Sequence, residues 1–479
     1  MTNLSTKATT PQAPTWSKAL RPSAAEFGPA LLPIVAGKLP PSLRGSLYRN
    51  GPARLERNNQ RMGHWFDGDG AVLAINFTGT TSTATYRYVK TTGYLEEQKV
   101  GKLIYGNYGM TSPLPWLQRF SKSIKNSANT SVLPLPDKLL ALWEGGHPYA
   151  LDLETLETLK QDNLGWLKKS WFYSAHPKID AKIGEIYNFG VSPGANSTLQ
   201  LYRNNHEGKL IKHQSFKLEG VPLIHDFVLA GPYLVFVIPP VRVENIWQLL
   251  LQQKSYSDSL IWQPNKPTKI LIFDRESLEL ISQSEAEPWF QWHFGNGFVD
   301  ESGLIVVDVL RYEDFKTNQR LKEVAACSIQ TAAEGTLWRM KIEPKTAKLL
   351  EIQKVVSRSC EFPSVPPAEI GKPSRYTYIS LHRPDADTTR DIYRSIGRFD
   401  HHTGTLTEAN LPENSYPTEP IYAVDAENPD KGWILTVVFN GVENNSEVWI
   451  FEASRLNDEP VCRLRLPAVV PMGFHGCWR

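Results

Sequence analysis

Short runs of β-branched and aromatic residues, each closed off by Gly, Pro, Asn or Asp, recur along almost the whole of this chain. Examples are IYNFGV at 186–191, YLVFVI at 233–238, KILIFD at 269–274 and LIVVDV at 304–309. YTYIS at 376–380, ILTVVF at 434–439 and EVWIFEA at 447–453 extend the series. Such runs read as strands. Between them lie Pro- and Gly-rich loops rather than regular helices, so the expected fold is all-β. Many strands in one chain must bury or close their sheet edges, which points to a barrel, a sandwich or a propeller. No repeat with a signature dipeptide is visible, so blades cannot be counted from self-similarity.

Two segments break the pattern. Residues 113–127 place Trp116, Phe120 and Ile124 on one helical face, with Arg119, Lys122 and Lys125 elsewhere around it. Residues 242–252 gather Ile246, Trp247, Leu249, Leu250 and Leu251. Either reads as a helix packed inward on the sheets or as an apolar surface.

The 479 residues are 41% hydrophobic, with 14 Trp, 18 Tyr and 19 Phe, which is ample for a large core and excludes a disordered chain. Length leaves the domain count open, because closed β architectures exceed the usual domain size as single units. A net charge of +2, from 52 basic and 50 acidic residues, and the lack of a long basic run argue against nucleic-acid binding. Cys327, Cys360, Cys462 and Cys477 lie far apart, without the close pairs of a zinc ribbon or redox motif, and read as inert thiols of a reducing compartment. No stretch approaches the roughly 20 apolar residues needed to span a bilayer. A cytoplasmic protein is therefore expected. Residues 1–25, rich in Ser, Thr, Pro and Lys, predict a flexible tail, with an organelle transit segment as the alternative, and residues 26–479 a single domain.

Among the 11 histidines, His206, His213, His401 and His402 lie in polar or turn-like sequence and predict solvated rings, while His64, His147 and His382 have no ligand context. His176 in YSAHPKID, His225 in PLIHDFVLA, His293 in FQWHFGNGF and His475 in MGFHGCW all sit among apolar or aromatic neighbours. Four imidazoles buried there would need partners, since an unpaired buried polar group is costly. Their intervals of about 50, 70 and 180 residues suit different blades of similar size converging on one axis. Spacing alone does not decide this.

A series of separated motifs resembles the carotenoid cleavage oxygenases, in that family's order. It comprises SLYRNGP at 46–52, FDGDG at 66–70, LLALWEGGHPYALD at 139–152, SAHPKID at 174–180, IHDF at 224–227, CEFP at 360–363, TEPIY at 418–422 and FHG at 474–476. The resemblance runs from about residue 38 to residue 479. It implies a seven-bladed β-propeller, a few helices and loops capping an axial active site, and iron(II) held by His176, His225, His293 and His475. An all-imidazole set suits ferrous iron and leaves its charge in place, unlike the facial triad with its carboxylate. The resemblance also pairs Glu144 with His225, Glu361 with His293 and Glu419 with His475 as outer carboxylates, which fix the tautomer and raise ligand basicity. Thr130 falls where the family places a small side chain beside an open iron position. Trp143, Phe227, Trp292, Phe294 and Phe474 adjoin these residues and are expected tunnel walls.

Asp67 and Asp69 of FDGDG do not extend to a calcium loop, because Ala71 stands at the next alternate position, and a tight turn is expected. Many family members continue from the third histidine as two variable residues, Asn-Ala, an aromatic and Glu. Here Asn296, Gly297, Phe298 and Val299 follow, with Asp300 one place late, a departure that bears on local packing and substrate preference. The implied activity is O2-dependent cleavage of a conjugated alkene of a carotenoid or apocarotenoid. Its alternatives are a stilbene or lignostilbene cleaver, a retinyl-ester isomerohydrolase, and a non-catalytic propeller platform. A water-insoluble polyene must be collected from a bilayer, so peripheral membrane contact is expected, with residues 113–127 as the docking helix and Trp247–Leu251 widening the patch.

Overall fold

The computed structural model describes residues 13–192, 194 and 196–479. All seven strand-like runs named above form strands, among them Glu185–Ser192, Tyr233–Ile238, Thr268–Asp274 and Ile305–Tyr312. They build antiparallel sheets arranged in a propeller-like ring. Six sheets have four or more strands, and two are two-stranded ribbons. One of the six has eight strands. It consists of two antiparallel four-stranded meanders, 228–286 and 290–356, joined by a single parallel bridge between Ala230 and Gly297. Separate sheets were expected there. The merger follows from Gly297, which stands where the family commonly has Ala: an added Cβ would lie 2.2 Å from Val228 Cγ1, so the close approach requires glycine.

The core lies between neighbouring sheets rather than in one central mass. Alternate residues of a strand point to opposite faces, so each sheet is buried on both sides. Leu47 and Leu73 pack against Leu435, Ile450 and Leu464 of the last sheet, while Tyr48 and Val72 from the same two strands pack on Leu139, Ala141 and Leu151 of the second. The alternation repeats at Tyr187 and Phe189, which face Phe227 and Phe236, and at Ile186 and Tyr202, which face Leu140 and Leu142. The ring is closed by the chain ends. Gly476–Trp478 adds to the edge of Arg44–Arg54, and Ile34–Gly37 adds to Cys462–Arg465.

Helices are few and differ from those expected. The stretch 113–127 contains only one helical turn, Trp116–Arg119, because Pro115 precedes it and Ile124 leaves to bridge Gly106. The second cluster forms Ile246–Leu250. Two longer helices were not anticipated: Thr92–Val100, capped by the Thr91 side chain and a left-handed Gly101, and Lys316–Ala325. The predicted N-terminal tail is corrected for its described part. Thr15–Ala19 forms a 3-10 turn, and Trp16 is fully buried against Leu55, Val324 and Phe474, with its indole N–H donating to the Arg390 carbonyl. A bulky aromatic in a polar stretch was the available signal. Residues 1–12 lie outside the described residues. Cys327, Cys360 and Cys462 are buried free thiols and Cys477 is half-buried, and no described helix is long and apolar enough to cross a membrane.

Candidate metal centre

The four histidines come from three of the larger sheets, His225 and His293 from the two halves of the eight-stranded one. His176 precedes the strand Lys178–Asp180, His225 precedes Val228–Ala230, His293 lies within Phe290–Val299 and His475 precedes Gly476–Trp478. One nitrogen from each lies within 4.8 Å of the others. His225 Nε2 stands 3.1 Å from both His176 Nε2 and His293 Nε2.

Three rings have a carboxylate behind them, paired as the motifs implied. Glu361 Oε2 is 2.5 Å from His293 Nδ1, Glu419 Oε1 is 2.9 Å from His475 Nδ1, and Glu144 Oε1 lies against His225 Nδ1. An ionised carboxylate accepts, so Nδ1 carries the proton and Nε2 presents a lone pair to the centre. Lone pairs facing one another at 3.1 Å repel unless a cation stands between them. Two ligands at right angles on one ion, with bonds of about 2.0–2.1 Å, are themselves about 3 Å apart. The donor set therefore fits a metal ion that prefers imidazole. Burial, then the neighbouring rings, hold His176 and His293 well below the ordinary histidine range, which keeps them neutral and ligand-ready. Burial opposes charge on His225 as well, but Glu144 outweighs it and the pKa is raised. Burial lifts Glu361 to about 7, although the Phe362 N–H and the Tyr312 hydroxyl both donate to it.

A mostly apolar cavity opens beside the cluster and contains about 910 Å³ of empty space, part of it open to solvent. Of the expected wall residues, Trp292 and Phe474 line it. Phe227 and Phe294 do not: they are core, packed on Phe236 and on Val307 and Met340 respectively. Trp143 is outside the lining as well, folded over Gly145. Thr130 lines the cavity, and its carbonyl accepts from His475 N–H.

Residues missed from sequence include Phe66, stacked parallel to His225 at 6.3 Å, and Phe362, whose ring lies 5.6 Å from His293 and 5.5 Å from His475 with a left-handed backbone at φ 53. Both sit inside quoted motifs, which was the available signal. Asp226 was missed too. It accepts from Phe294 N–H and pairs with Lys178, tying three ligand-bearing segments together.

FDGDG begins in a 3-10 turn, Trp65–Asp67, entering the strand Asp69–Thr78, and Asp69 is buried in a cluster with Arg57, Lys125 and Glu97. Of the histidines expected to be solvated, His206 and His402 are exposed. His213 instead stacks on Trp171 at 4.1 Å, and His401 lies against Asp308 and Thr377.

A family model described as retinal pigment epithelial membrane protein matches residues 20–479. The chain is 33% identical to the apocarotenoid-15,15'-oxygenase of Synechocystis over 456 residues, 93% of this chain and 92% of that protein. It is 25% identical to resveratrol cleavage oxygenase 1 of Aspergillus fumigatus, covering 98% and 96% of the two chains. It is 26% identical to isoeugenol monooxygenase of Pseudomonas putida, covering 93% and 94%. A crystal structure of cobalt-substituted Synechocystis apocarotenoid oxygenase superposes with a TM-score of 0.89 at 31% identity, covering 97% of this chain and 98% of that one.

Proposed function

The chain belongs to the retinal pigment epithelial membrane protein (RPE65) family, and from that premise we propose that it is an iron(II)-dependent dioxygenase. Its reaction is cleavage of a conjugated carbon–carbon double bond of a carotenoid or apocarotenoid with O2, giving two carbonyl products. The observation that carries this reading is the convergence of four imidazoles on one point, three of them, His225, His293 and His475, at the wall of an apolar cavity. His176, His225, His293 and His475 would hold the ion, with Glu144, Glu361 and Glu419 orienting three of them. Iron(II), when bound, supplies O2 binding and redox chemistry. The chain's own residues confine and orient the polyene and exclude water: Phe66, Trp292, Phe362 and Phe474 form flat apolar walls, and Thr130 keeps the space beside His475 small.

Seven blades are the count we adopt for residues 26–479 as one domain. Taking the eight-stranded sheet as two, each sheet shares one apolar cluster with the next, around to the contact of last with first.

Substrate delivery is assigned to the membrane-facing patch. Trp116, Leu117, Phe120 and Ile124 are exposed, as are Trp247, Leu250 and Leu251, and the two segments are joined by bonds from Trp116 Nε1 to the Leu251 carbonyl and from Arg119 to the Gln252 carbonyl. Such a surface suits peripheral contact with a bilayer.

A phenol-directed stilbene cleaver would want Tyr and Lys at the substrate. The described cavity lining has Tyr312 and Tyr393 but no lysine, which favours the polyene. The test is anaerobic loading with iron(II), then incubation under 18O2 with carotenoids, apocarotenals and stilbenes. Two labelled carbonyl fragments from a polyene are expected, with aldehyde exchange controlled. Label in one fragment only, or cleavage of stilbenes alone, would overturn the proposal.

A further inference from the structure

One side of the cavity is polar. Ser380 sits across the strand pair from Glu361, is 1% exposed, lines the cavity, and its Oγ has no hydrogen-bond partner among the described residues. A buried hydroxyl left unpaired is costly, so the position calls for a partner that enters from the cavity. Arg320, on the helix Lys316–Ala325, lines the same space and is 7% exposed. Its bonds go to the main-chain carbonyls of Thr331, Thr388 and Asp391 and none to a carboxylate, so its charge is solvated but not neutralised. Tyr393 completes the group, with its ring 6.3 Å from Phe362 and 4.6 Å from His382. Burial, then the Glu361 charge, raises the Tyr393 phenol, which keeps its proton, and its hydroxyl neighbours the Tyr312 hydroxyl within hydrogen-bond reach.

A guanidinium, a phenol and a free hydroxyl all offer protons, and a hydrocarbon gives them nothing to bond. We propose that Arg320, Ser380 and Tyr393 form an oxygen-recognition subsite that selects polyenes carrying a carbonyl or carboxylate oxygen over hydrocarbons of equal length. The proposal rests on the polyene-cleaving function above and names its substrate class. Arg320 acts as a full charge on a carboxylate and as a polarising donor on an aldehyde, so the two sources share one acceptor chemistry.

The test measures binding by quenching of tryptophan fluorescence in the anaerobic iron-loaded protein. The probes are a conjugated aldehyde, the corresponding acid and the hydrocarbon of the same length. Ser380→Ala and Tyr393→Phe remove one oxygen each with little change in shape. Each should weaken aldehyde or acid binding about 5–10-fold, the worth of one hydrogen bond, and leave hydrocarbon binding unchanged. Unchanged affinity for both oxygenated probes, or an equal loss for the hydrocarbon, would overturn the proposal and leave the subsite as a seat for a buried water. A wild-type protein that binds or cleaves the hydrocarbon as readily would overturn it too. If the wild type prefers the oxygenated probes but yields no cleavage products under O2, the subsite stands and the dioxygenase reading fails.

Discussion

At the level of single residues, the centre depends on carboxylates that differ in how far they are removed from water. The side chains of Glu361 and Glu419 are 5% and 8% exposed, whereas Glu144 is 28% exposed. Replacing any of the four histidines by Ala should abolish turnover and release iron, as read by metal analysis after gel filtration. Glu→Gln changes at Glu144, Glu361 and Glu419 should reduce metal affinity or activity by about 10–100-fold, since an acceptor remains but basicity falls. The loss should be least at Glu144, where water can stand in. Retention of full iron by the His225→Ala protein would show the ligand assignment to be wrong. Two histidines away from the centre contribute to acid sensitivity. Burial, then the Lys322 charge, push His64 to about 3, and burial, then Arg320, do the same at His382. Both are neutral in the folded state while their unfolded counterparts titrate near 6.5. The unfolded chain therefore binds more protons below that value, and stability should fall as pH drops from about 6.5 toward 4. Urea unfolding across that range should show uptake of about two protons from these residues, and His382→Gln should remove about one.

Among the elements, the stretch 113–127 divides its side chains in a way no helical wheel described. Its apolar residues face out while its cations are engaged with protein partners. Lys125, expected at a lipid headgroup, is 3% exposed between Glu97 and Asp69, Lys122 pairs with Glu96, and Arg119 bonds the Leu114 and Gln252 carbonyls. Docking through this patch would thus rest on apolar area rather than on headgroup charge. Trp116→Glu with Phe120→Glu should leave the fold and iron content intact, because Trp116 is 49% and Phe120 48% exposed, yet lower liposome binding and activity on membrane-borne substrate. Unchanged liposome binding by the folded double mutant would remove this patch from the path. Lys125→Ala should behave oppositely. It leaves Asp69 and Glu97 with Arg57 alone in a buried site, at a cost of about 3–5 kcal/mol, visible as a shifted denaturation midpoint with unchanged slope.

Across the whole molecule, closure decides whether a site exists. His475 stands one residue before the strand that clasps the last sheet region to the first, and Arg49 and Asn50 of the opposing strand bond the Phe474 carbonyl and the Phe474 N–H. Removing residues 476–479 keeps every ligand in the sequence but deletes the clasp. Iron retention and unfolding cooperativity should both fall, as measured by metal analysis and a broadened urea transition. The strands and the four histidines were legible beforehand because each is a local statement, a run of β-branched and aromatic residues bounded by turn residues or a ring in an apolar context, and the three glutamates followed from motifs that resemble the family's. The helix Lys316–Ala325, the inward turn of Lys125 and the burial of Trp16 were not, since their environments come from segments well separated in the chain. The same limit explains why Phe227 and Phe294 were assigned to the cavity while Phe66 and Phe362 were overlooked. By itself the sequence determined that strands would form and which residue types could bind a metal. Only the tertiary structure decided which side chains meet, because distance between ring nitrogens, the open side of a cavity and an unpaired hydroxyl within it arise from packing sheets far apart in the chain.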